Sequence, residues 1–187
     1  MKKAAIFFAP GFEETEALTP ADVLNRAGTD VELISVTEEK NVTGSHNLTV
    51  VCDRVFEGAP IEDKDIIILP GGITGVNNLK ANSKLLELIK DYNSRKKWIG
   101  AICAAPVIIG EMGMLKGRKA TCFPGFEHHM KGAHHYPIPA ITDGHIITGR
   151  GIGAAMEFSL EIVANLYGPE KASDLREKMV VPILAHQ

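Results

Sequence analysis

Strand-like and helix-like runs alternate along this chain, and one of the strand-like runs is apolar at every position. It lies within Asp65-Ile-Ile-Ile-Leu-Pro-Gly-Gly. A strand that is apolar at every position needs cover on both faces, and the usual place for one is a parallel sheet with helices on either side. Pro70, Gly71 and Gly72 then stop it. The same pattern predicts strands at Ala4–Ala9, Val31–Val36, Trp98–Ile102, Lys119–Cys122 and Ile146–Thr148. Helices are predicted over Glu13–Ala27, with Gly28 as the stop, from a Ser83 cap through Leu85, Leu86, Leu88 and Ile89, after Cys103 to near Gly110, over Ala154–Leu166, and from Pro169 toward Met179. An apolar tail, Val180 to Leu184, follows. Val42–Phe56, broken by Gly44, Ser45 and Asn47, predicts a pair of short strands or an edge excursion. Phe123–Pro139 predicts a long loop or a loop with one helical turn. The expected fold is α/β with a mostly parallel sheet, and 187 residues suffice for a single domain with that sheet covered on both sides.

Composition narrows the partners. The formal charge is -3 with 23% charged residues, so no basic surface argues for nucleic acid or an anionic membrane. The apolar stretch after Met1-Lys-Lys ends by Phe8 and runs into Pro10, Gly11 and glutamates, which is too short for a signal peptide or a membrane span. Cys52, Cys103 and Cys122 are widely spaced and odd in number, with no Cys-x-x-Cys pair. That suits a reducing compartment, and a cytoplasmic location is expected.

Cys103 stands where the strand Trp98-Ile-Gly-Ala-Ile should turn into a helix, among Gly100, Ala101, Ala104 and Ala105. A side chain on such a tight strand-to-helix turn projects above the sheet's carboxyl edge, toward the amides that open the next helix. A thiolate gains from that placement by about 0.3 to 2 kcal/mol. This lowers a thiol pKa of about 8.5 by roughly 1.5 units at most, so full ionisation needs further hydrogen bonds. The local pattern fits a small buried filler equally well, since free cysteine is often fully buried. Ligands in open α/β sheets sit outside the carboxyl ends of the strands. Three loops converge there: the one with Glu13, Glu14 and Glu16, the Gly71-Gly72 turn, and the Cys103 turn. A glutamate buried beside the thiolate should be protonated and donate to it. The other two are expected to form a solvated first helical turn.

Glu13-Glu-Thr-Glu16, Leu69-Pro-Gly-Gly72 and Ile102-Cys-Ala-Ala-Pro106, in this order, resemble the ThiJ/PfpI superfamily, and within it the branch of the parkinsonism-associated protein deglycase. Asn78-Leu79, Thr148 to Gly153 and Glu157-Phe158 extend the likeness nearly end to end. The resemblance implies a flavodoxin-like three-layer sandwich of the class I glutamine amidotransferase kind and a homodimer. It implies Cys103 as the reactive cysteine, Glu16 as its protonated partner, and the amides of Gly72 and Ala104 as an oxyanion hole. Protease-like relatives place His directly after the cysteine; here that residue is Ala104, so a peptidase mechanism is not expected. The deglycase branch often carries Thr-His-Pro where this chain has Cys122-Phe123-Pro124. Glu16 would then move protons alone, unless a histidine of the 128–135 loop reaches in.

The implied chemistry is cofactor-free conversion of a small dicarbonyl, or repair of a glycated substrate, of the glutathione-independent glyoxalase or deglycase type. A redox sensor or stress chaperone built on Cys103 sulfinate is the second reading, and an amidohydrolase-like step in thiamine-related metabolism the third. No metal is expected. His128, His129, His134 and His135 cluster, but no Asp or Cys joins them at a zinc-like spacing. Gly149-Arg-Gly-Ile-Gly-Ala resembles a dinucleotide fingerprint, yet it belongs to the last unit and lacks the acidic residue that should follow. Cys52 and Cys122 are expected to be buried or redox bystanders.

Overall fold

A computed structural model describes residues 1–182. In chain order its elements are β1 (Lys3–Phe8), α1 (Glu14–Ala27), β2 (Asp30–Ser35), β3 (Asn41–Thr43), β4 (Thr49–Val51), β5 (Arg54–Val55), β6 (Ile66–Leu69), α2 (Ile73–Ala81), α3 (Ser83–Ser94), β7 (Trp98–Ile102), α4 (Pro106–Glu111), β8 (Lys119–Ala120), β9 (His134–His135), β10 (Ala140–Asp143), β11 (Ile146–Gly149), α5 (Ala155–Tyr167) and α6 (Pro169–Lys178). The main sheet has seven strands in the order β10-β11-β7-β6-β1-β2-β5. All its pairings are parallel except β10 with β11.

Alternate residues of each strand serve opposite layers, as the two-residue period of a strand requires. Ala5, Phe7, Ile67, Leu69, Ile99 and Ala101 pack with Val76, Leu79, Ile89 and Ile108 from α2, α3 and α4. Ala4, Ile6, Phe8, Ile66, Ile68 and Ile147 face the other way, onto Leu24, Phe158, Ile162 and Leu175 from α1, α5 and α6. The result is the expected three-layer α/β sandwich of flavodoxin-like type.

The structure differs from the sequence-based expectations in four places, each with a physical reason. Helix α2 was not anticipated, because Ile-Thr-Gly-Val-Asn-Asn-Leu-Lys-Ala contains poor helix formers and buries only Gly75, Val76 and Leu79. The cap of α3 is Asn82, whose side chain accepts from the Leu85 amide at 3.0 Å, and Ser83 is already helical. The strand expected at Lys119–Cys122 stops at Ala120 and pairs with β9 outside the main sheet. The next amide, of Thr121, donates instead to the Thr148 hydroxyl at 2.9 Å. Finally, β10 is an antiparallel edge joined to β11 by the two-residue loop Gly144-His145, with Gly144 at φ 63°. Val42–Phe56 divides into the β3–β4 hairpin and the edge strand β5. Part of the apolar tail expected at Val180 to Leu184 lies outside the described residues.

Candidate active site

Strand β1 is followed by β2 on one side, and the chain then returns to β6 on the other. The carboxyl ends of β1 and β6 therefore flank a topological switch point, the usual ligand crevice of such sheets. Glu16 enters it from the first turn of α1, Gly71 and Gly72 from the turn after β6, and Cys103 from the end of β7.

Cys103 has φ 65°, the left-handed region that a side chain disfavours by about 1–2 kcal/mol. Neighbours hold it there on both sides. Its amide donates to the Gly149 carbonyl at 2.9 Å, and its carbonyl accepts from the Phe123 amide at 2.9 Å. The turn leaves the residue only partly buried, whereas Cys52 and Cys122 are buried as expected.

Glu16 is 1% exposed. Its Oε2 accepts from the Gly71 amide at 3.0 Å, and its carboxyl lies against the Cys103 thiol, each group shifting the other's titration. Gly71 is what permits this approach. A Cβ there would fall 2.3 Å from Glu16 Oε2, 2.6 Å from Cys103 Cβ and 3.1 Å from Sγ. Gly72 has φ 88°, and a Cβ on it would lie 2.4 Å from the Gly11 carbonyl oxygen. The amides of Ala104 and Gly72 both bear on the sulfur.

Burial raises Glu16 to about 7, helped by the Glu13 charge and opposed by the hydrogen bonds from Cys103 and Gly71. Burial also pushes the Cys103 thiol up to about 12, reinforced by the Glu16 charge and hydrogen bond, with the Ala104 and Gly72 amides pulling it down. Burial works against an ionised sulfur at this position, and the two backbone donors work for it. The first proton to leave the pair comes off near neutrality. If the remaining proton sits on Glu16, the carboxyl carries no charge and donates to the sulfur, so both Glu16 effects change sign. Such a pair is able to share one proton between oxygen and sulfur.

The solvated reading of Glu13 and Glu14 fails, since both are buried. Glu13 caps α1 by accepting from the Glu16 amide at 2.7 Å, which fixes the turn carrying Glu16. Glu14 takes the His46 amide at 2.7 Å and its Nδ1 at 2.9 Å, tying the β3–β4 hairpin to α1. Burial works against its charge, but these bonds together with its own amide and that of Leu48 outweigh it and hold Glu14 at about 2. Of the loop histidines, two are engaged elsewhere and two are exposed. His129 pairs with Glu111 at 3.0 Å, His128 stacks on His129, and His134 and His135 lie in β9. Beside the pair, Phe123, Pro139, Arg150 and Ile152 line a cleft of about 310 Å³, largely apolar. Gly71, Gly149 and Phe123 position the site without carrying its chemistry. Only the Pro-Gly-Gly signal at Gly71 was open to sequence reasoning.

Residues 2–165 match the model of the DJ-1/PfpI family. This chain belongs to that family. The Parkinson disease protein 7 homolog of Danio rerio is 34% identical over 184 residues, covering 96% of this chain and 97% of that protein. Protein DJ-1 homolog B of Arabidopsis thaliana is 36% identical over 174 residues, and the match spans 92% of this chain but 40% of that longer protein. Among solved structures, Drosophila melanogaster DJ-1beta superimposes with TM-score 0.92 at 31% identity, covering 97% of this chain and 99% of that one. Oxidized DJ-1 of Toxoplasma gondii gives 0.93 at 28%, covering 98% and 100%. The expected superfamily and branch are therefore correct. Among the described residues of this DJ-1/PfpI chain, no helix is long and apolar enough to cross a membrane.

Proposed function

We propose that the protein is a cysteine-dependent, cofactor-free enzyme acting on small reactive dicarbonyls or the early adducts they form, working as a homodimer in the cytoplasm. The Glu16–Cys103 pair beneath two amides carries this reading. With methylglyoxal, the sulfur adds to the aldehyde carbon as its proton passes to Glu16, and the new oxyanion accepts from the Gly72 and Ala104 amides. Glu16 returns that proton to the oxyanion, giving a neutral hemithioacetal. The carboxylate then takes the hydrogen from the former aldehyde carbon and delivers it to the adjacent carbon through an enediol, leaving a thioester. Water cleaves the thioester to lactate and restores the thiol, so substrate plus water equals product. No histidine shares the work, since Phe123 occupies the position from which one would act. Lactate formation is expected from the wild type and at least about 100-fold less from Cys103→Ser. Equal rates from the two would end this reading.

A second reading has its own support. A relative is known as an oxidized form, and here the same donors would surround oxygens added to Cys103. Peroxide would take the sulfur to sulfenate and then sulfinate, one equivalent consumed at each step. Mass spectrometry after mild peroxide should find oxygen on Cys103 before Cys52 or Cys122, both of which are buried. Random distribution among the three would count against it.

A further inference from the structure

The turn after β8 brings together three side chains that the dicarbonyl chemistry does not use. Cys122 Sγ, a Glu127 carboxylate oxygen and a His135 ring nitrogen all lie within 4.8 Å of one another. The spacing 122-127-135 hides this grouping in the sequence.

The fold makes the grouping in three steps. The Phe126 amide bonds back to the Phe123 carbonyl at 3.1 Å, which folds the chain so that Glu127 returns toward Cys122. The Gly125 amide donates to Glu127 Oε2 at 2.8 Å and fixes the carboxylate. Pairing of Ala120 with His135, extended by the bond from the Tyr136 amide to the Ala120 carbonyl at 2.9 Å, sets the imidazole beside the same turn. Cys122 is wholly buried, and its thiol has only a long contact of 3.4 Å to the Phe123 carbonyl. His135 is exposed and makes no side-chain hydrogen bond among the described residues, so its ring is free to take a ligand from solvent.

We infer that Cys122, Glu127 and His135 form a binding site for a borderline-soft divalent cation of the zinc type, separate from the Glu16–Cys103 pair. One sulfur, one nitrogen and one oxygen donor match zinc, whereas calcium and magnesium take oxygen alone. Tetrahedral zinc holds such donors roughly 3.3 to 3.6 Å apart, so closure from the present spread needs shifts on the order of an ångström. Three protein donors leave a fourth position for water or an exogenous ligand. Binding replaces the thiol proton, which is released to solvent. Arg150 is the one cation that bears on Cys122, and its guanidinium is drawn off by the Pro137 carbonyl at 2.5 Å. His128 lies near Glu127 on the exposed side.

The test uses the full chain carrying Cys103→Ser, which removes the partly exposed sulfur of the other site. Titration with Co²⁺ should saturate at one equivalent with a sulfur-to-cobalt charge-transfer band, and Zn²⁺ should displace the cobalt. Adding Cys122→Ser should abolish the band. Because Cys122 is in the core, His135→Ala at an exposed position gives an independent measure: binding weakens at least about tenfold while circular dichroism is unchanged. Absence of saturable binding, a charge-transfer band that survives Cys122→Ser, or unchanged affinity in His135→Ala would each overturn the site. The readout is spectroscopic and does not depend on whether dicarbonyls are turned over.

Discussion

At position 71 a single hydrogen atom separates a carboxylate from a thiol. Gly71→Ala should push Glu16 and Cys103 apart and lower kcat/KM for methylglyoxal by about 100-fold, the cost of misplacing a catalytic pair by an ångström. Circular dichroism would show whether the fold survives, and unchanged turnover would mean that close contact is not required. Glu16 itself gives a sharper outcome. With a shared proton lost near pH 7, alkylation of Cys103 by iodoacetamide should rise to a plateau above about pH 7. In Glu16→Gln the plateau should vanish, leaving a rate that climbs into the alkaline range with the thiol alone. Persistence of the plateau would assign it to another group.

Among elements, the cap of α3 separates two expectations. Asn82→Ala should cost about 1 kcal/mol in urea unfolding, because the Leu85 amide loses its acceptor. Ser83→Ala should cost little, Ser83 being already helical. Equal effects would contradict the observed cap. Elements that bury a continuous apolar run, such as β6, or a clear apolar stripe, such as α1, were legible in the sequence because burial alone dictates their pattern. Helix α2 was not legible, since its weak propensity is overridden by packing of Val76 and Leu79 against the sheet. Strand β10 was missed although Asp143-Gly144 is a hairpin signal, because its four residues are all half-buried and show no alternation. Within the site, Cys103 could be picked out from its turn and Glu13, Glu14 and Glu16 as a group, while the family resemblance singled out Glu16 and the Gly72 and Ala104 amides. The burial of Glu13 and Glu14 was hidden, because nothing local shows that the β3–β4 hairpin covers that turn.

For the molecule as a whole, two glutamates on one helix pull stability in opposite directions with pH. Glu16 is raised from 4.5 to about 7, so the folded state binds the extra proton. The associated stability is full below about pH 4.5 and is lost as pH rises through about 7. The full shift corresponds to something on the order of 3 kcal/mol. Glu14 is lowered to about 2, so its contribution is present above about pH 4.5 and lost as pH falls through 2. Thermal melts should therefore show the wild type declining from pH 4.5 to 7 relative to Glu16→Gln, and parallel curves would refute the assignment. The cysteine's backbone is fastened to Gly149 at one end of its peptide and to Phe123 at the other, while Glu16 and Gly71 arrive from far earlier in the chain. The geometry around Cys103 is thus assembled after its own strand: a nascent polypeptide carries every strand up to β10 before Gly149 exists to fasten that turn. The Cys103 turn gains its defined surroundings only once β11 has been made.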